Sequence, residues 1–77
     1  MSSYNVGDVV GHGTMGDLSW DVAYVGEIAM AGLGPFNWRF EIRRGNTTVM
    51  AAFMLSDKPE QVVHLAKLAF NDLAATP

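Results

Sequence analysis

Apolar and polar positions alternate most regularly in the middle of the chain. Phe36, Trp38, Phe40 and Ile42 interleave with Asn37, Arg39, Glu41 and Arg43, the period-two pattern of a strand with one buried face. Gly45-Asn46 follows as a two-residue turn able to take positive φ. A second apolar run, Thr47 to Leu55, returns from it. With those two residues as the loop, Arg44 pairs with Thr47. A uniform register then sets Ile42 beside Val49, Phe40 beside Ala51, Trp38 beside Phe53 and Phe36 beside Leu55. All four pairs are apolar, and a slip of one residue breaks every one of them. The opposite face carries Asn37, Arg39, Glu41 and Arg43 beside Met54, Ala52, Met50 and Thr48.

Beyond the hairpin the period changes from two to that of a helix. Asp57-Lys58-Pro59-Glu60 combines a capping residue, a proline suited to the first turn and acidic groups near the positive end of the helix dipole. Val62, Leu65, Ala66, Ala69 and Leu73 form an apolar stripe widened by Val63 and Phe70, while Glu60, His64, Lys67 and Asn71 recur on the other side. The spacing predicts a helix from about Asp57 to Ala74, packed on the Trp38/Phe40/Phe53 face.

Before residue 36 the pattern is weaker. Tyr4 to Val10 reads as a strand, and Ser19 to Val25, rich in aromatic and β-branched residues, reads as another. A helix over residues 18–31 is the alternative, with Leu18, Val22, Val25 and Ala29 on one stripe and Gly26 inside it. Gly32-Leu33-Gly34-Pro35 is a loop on either reading. The expected fold is α+β, a small antiparallel sheet of three to four strands with one C-terminal helix on one face, and residues 1–77 make a single compact domain.

Gly11-His12-Gly13-Thr14-Met15-Gly16 matches the G-x-G-x-x-G spacing of a dinucleotide-binding turn. That motif holds a pyrophosphate only where its third glycine opens a helix inside a βαβ unit. Here a strand is expected after Gly16, so the segment reads as a flexible glycine-rich connection between two strands.

Composition adds constraints. In 77 residues there is room for one small core, and a 49% hydrophobic content leaves apolar side chains over. Association with a protein partner or a second copy is therefore expected. Without cysteine there is no disulfide, thiolate nucleophile or thiolate-bound zinc. The start, Met1 to Asn5, lacks the charged and apolar regions of a leader. No apolar run approaches the roughly 20 residues needed to span a bilayer, so a soluble cytoplasmic protein with no membrane contact is expected.

Charge is uneven along the chain. Residues 1–38 hold Asp8, Asp17, Asp21 and Glu27 with no Lys or Arg, whereas Arg39, Arg43 and Arg44 fall within the next six positions. An acidic end and a small basic tip are expected. The net charge of −3 argues against general phosphate binding. His12 and His64 have no local ligand spacing, the serines have no adjacent base, and Asp17 with Asp21 reads as an acidic patch. Neither an enzyme nor a cofactor or metal site is expected.

The run from Gly34 to Phe70 resembles, in element order, the second half of a double-stranded-RNA-binding domain, where strands are followed by a helix across the sheet. The family's lysine cluster at the start of that helix is reduced here to Lys58 beside Asp57 and Pro59, and its first helix has no counterpart. The likeness therefore carries no phosphate-binding element.

The reading that remains is a non-enzymatic protein-interaction module. It has the size and charge of small phage or mobile-element inhibitors that bind a host nucleic-acid-handling complex. Its expected contact residues are Arg39, Arg43, Arg44, Met50 and Met54 on the hairpin, with Asp17, Asp21 and Glu27 meeting a basic partner surface. The alternative is an accessory nucleic-acid-binding domain using the arginine tip.

Overall fold

A computed structural model of the chain describes residues 4–27 and 36–75. Four strands, β1 (Val9–Met15), β2 (Leu18–Glu27), β3 (Phe36–Arg44) and β4 (Thr47–Leu55), form one antiparallel sheet in sequential order, and α1 (Pro59–Ala75) closes one face. The α+β expectation holds, with strand rather than helix at residues 18–27. The predicted loop at Gly32 to Pro35 lies outside the described residues.

Two turns of the same kind set the sheet. Met15 pairs with Leu18 around Gly16-Asp17, and Arg44 pairs with Thr47 around Gly45-Asn46. In each, glycine takes the first loop position with a φ of 62° or 60°, the residue choice of a type II′ turn, whose twist matches that of the strands. The turns sit side by side, with Gly45 N–H donating to the Asp17 carbonyl at 2.9 Å.

The core lies between the sheet and α1. Trp20, Val22 and Tyr24 of β2 and Trp38, Phe40 and Ile42 of β3 present alternate positions to Val62, Ala66 and Phe70, one row along the helix. Proline opens α1 as its missing N–H allows. The hydroxyl at that junction belongs to Ser56, which accepts the Lys58 N–H at 3.0 Å, in place of the predicted Asp57 cap. Trp38 is fully enclosed, and its indole N–H donates to the Ser56 carbonyl at 2.9 Å.

The first strand is displaced from its expected place. Tyr4 to Asp8 is a turn, closed by Asp8 N–H to the Asn5 carbonyl at 2.9 Å, and Tyr4 packs edge-on to Trp38 with ring centres 5.1 Å apart. The strand covers the glycine segment instead. Gly11 and Gly13 face inward because Trp20 and α1 occupy the space a side chain would need. A Cβ on Gly13 would stand 2.5 Å from Trp20 Nε1, and one on Gly11 would stand 2.8 Å from Val63 Cγ2. The glycines are spaced by two because alternate strand residues face the same way.

The β3–β4 register also departs from the uniform one. Arg44 and Arg43 pair with Thr47 and Thr48 as expected, but the register then shifts, and Ile42 meets Met50, Phe40 meets Ala52 and Trp38 meets Met54. Val49 is the extra residue of a bulge, which turns every later side chain of β4 to the other face. Met50 and Met54 therefore project on the helix side, with Met54 packed against the core, and Ala51 and Phe53 stand on the open face beside Glu41 and Arg39. Trp38 does not pair with Phe53.

Candidate interaction surface

The sheet face away from α1 carries an ion-paired ladder. Arg43 donates to Asp21 at 3.2 Å and to Glu41, whose other oxygen accepts the Thr48 hydroxyl at 3.1 Å. At the turns Arg44 reaches Asp17 at 3.4 Å. Asp17 and Asp21 lie far from the arginines in sequence, but antiparallel pairing of β2 with β3 brings Ser19 beside Arg43 and Asp21 beside Glu41. The expected separation into an acidic end and a basic tip is therefore replaced by one mixed-charge end.

Arg39 differs from its neighbours. It has no ion pair among the described residues, and its Nε is buried without a hydrogen-bond partner. Its flanks in register are Ala23 and Phe53. Phe53 is 68% exposed, which sets an aromatic ring and an uncommitted guanidinium side by side on an open face.

The outer edge of the sheet is formed by β4, which is nine residues long and contains no charge, proline or glycine. It is apolar on both faces. Phe53 and Val49 are exposed on the open side, while Met50 remains 39% exposed on the helix side because α1 lies across β1, β2 and β3. The flank of α1 nearest β4 also exposes an apolar side chain. Leu65 is 53% exposed and borders a shallow groove with Met54, Leu55 and Gln61, and Leu68, three positions on, is 54% exposed. Leu65 was expected in the core. The narrow row Val62, Ala66, Phe70 fills the available contact and leaves it outside.

The predicted contact residues are thus divided among several places. Arg39 and Arg43 share the open face, Arg44 and Asp17 sit at the turns, Asp21 is held by Arg43, and Met50 and Met54 point the other way. Glu27 is the last residue of β2, in register with Phe36. Phe53 and Leu65 were expected in the core, and Leu68 was not singled out from sequence. Phe53 was hidden by the uniform register, and Leu65 and Leu68 lie outside the helix row Val62, Ala66 and Phe70 that is buried.

A second concavity, of about 610 Å³, opens at the start of α1 between Tyr4, Val10, Glu60, Val63, His64 and Lys67. Among the described residues no three of His, Cys, Asp and Glu come together as metal ligands, and no helix is long and apolar enough to cross a membrane. Compared with protein-family models, with curated proteins and with solved structures, the chain matches none.

Proposed function

We propose that this chain is a non-enzymatic protein-interaction module whose contact surface is β4 together with the adjoining flank of α1. The observation that carries the reading is the outermost strand itself, nine residues without a charge or proline, and with Phe53 exposed on one face and Met50 on the other. Soluble proteins ordinarily blunt such edges with lysine, proline or a covering segment, because unpaired N–H and C=O groups beside apolar side chains recruit another strand. Arg39, beside Phe53 and without an ion pair among the described residues, adds a cationic side chain next to the exposed ring. The finer reading, an inhibitor that occupies a host nucleic-acid-handling complex, is supported by the small size and the net charge of −3.

Binding to nucleic acid through the arginines has less support, because Arg43 and Arg44 already meet carboxylates. The test is affinity purification from the native host with the wild-type chain and with Phe53→Lys, alongside passage over heparin. The module reading expects flow-through on heparin and one recurring protein lost with Phe53→Lys. Retention on heparin that Arg39→Ala abolishes, with no protein lost, would overturn it.

A further inference from the structure

We infer that the occupant of β4 is a second copy of the same chain, paired antiparallel strand to strand about Ala52, so that two four-stranded sheets join into one of eight. This rests on the reading of β4 as the contact surface and names its partner. Of the two edges left unpaired among the described residues, β4 is the one suited to pairing. β1 is shorter, is broken by a register shift between Val9 and Gly11, and holds two glycines, whereas β4 runs regularly from Met50 to Leu55.

The side chains of β4 complement themselves in one register. A two-fold axis perpendicular to the sheet through the Ala52 pair sets Met50 opposite Met54 of the second copy on the helix face and Ala51 opposite Phe53 on the open face. Each large side chain meets a small or flexible one. The two Phe53 rings become diagonal neighbours, within the 7–8 Å or so that aromatics span. No charged residue lies in the strand, so self-pairing brings no like charges together, and a symmetric contact needs only this one self-matching surface. Both copies of α1 then lie on the same face of the joined sheet.

The surface is large enough for a reversible dimer. Phe53 alone exposes roughly 100–170 Å², taken as its exposed fraction of a full aromatic side chain. Strand pairing covers part of this together with Val49, Met50 and Met54, a contact below the roughly 1,200–2,000 Å² of stable interfaces and of the size of weak, reversible ones. A dimer with a dissociation constant in the micromolar range is expected.

The chain has no cysteine, so single cysteines report the geometry directly. Ala52→Cys meets its own copy at a Cα separation of about 4.5–5.5 Å, within disulfide range. It should oxidise to a covalent dimer at least tenfold faster than Thr14→Cys on the β1 edge. Sedimentation equilibrium of the wild type should show a concentration-dependent dimer. Ala52→Glu and Ala52→Lys should each be monomeric with unchanged circular dichroism, and their equimolar mixture should recover the dimer. A wild type that stays monomeric to millimolar concentration, or equal cross-linking at positions 52 and 14, overturns the self-pairing. If that monomer still captures a host protein that Phe53→Lys loses, the interaction module stands with a different partner. If it captures none, both readings fall.

Discussion

Gly13 and Trp20 show how a residue's role is set by what lies across from it. The glycine spacing that invites a phosphate-loop reading answers instead to an indole, whose Nε1 would stand 2.5 Å from a Cβ at position 13. Gly13→Ala must push Trp20 or bend β1, and an overpacking cost of about 1–3 kcal/mol is expected from urea unfolding. Thr14→Ala, on the exposed side of the same strand, should change stability by less than about 0.5 kcal/mol. Trp38, with no exposed surface, should cost about 3–5 kcal/mol when cut to alanine. In a domain this small such a loss takes most of the available stability. The Arg43–Asp21 pair is a different matter, because it sits on an open face in reach of solvent. Asp21→Asn should cost less than about 1 kcal/mol, with the difference shrinking as salt rises.

At the level of elements, the β3–β4 hairpin divides what the chain discloses locally from what it does not. Its turn is written in Gly45-Asn46, its first strand in the alternation from Phe36 to Ile42, and the helix in Pro59 and the apolar row that follows. Local rules suffice for these because turn chemistry and period act over a few residues. The bulge at Val49 has no such signature. A uniform register also paired apolar with apolar, since β4 is apolar at both parities, and only the competition for space under α1 decides which parity faces in. The misplacement of β1 has a related origin, because Gly11 and Gly13 are demanded by the size of Trp20 across the hairpin and, at Gly11, by Val63 of the distant helix. The candidate surface was half legible. Arg39 and the apolar excess could be read from the residues, but Phe53, Leu65 and Leu68 depend on the bulge and on the placement of α1.

The bulge makes a sharp prediction. Deleting Val49 keeps every other β3–β4 pair, so the variant should fold with Met50 still opposite Ile42 and lose no more than about 1 kcal/mol. Under a uniform register the same deletion would turn Met50 to Leu55 to the wrong faces and abolish folding. Cross-strand nuclear Overhauser contacts and urea midpoints of the deletion variant distinguish the two.

For the molecule as a whole, the one helix among the described residues lies mainly across β1, β2 and β3, and β4 keeps Val49, Met50 and Phe53 exposed. Adding a second copy is the simplest way to continue the sheet and satisfy that edge, and β4 brings no charge of its own into the contact. The most direct measurement is amide hydrogen exchange of the wild-type chain at two concentrations bracketing the dissociation constant, read at the two edge strands of the same molecule. Protection of the outward-facing β4 amides, Met50 to Leu55, should rise with concentration while the outward-facing amides of β1 stay unchanged. Fast exchange at both edges, equal and independent of concentration, would contradict the account.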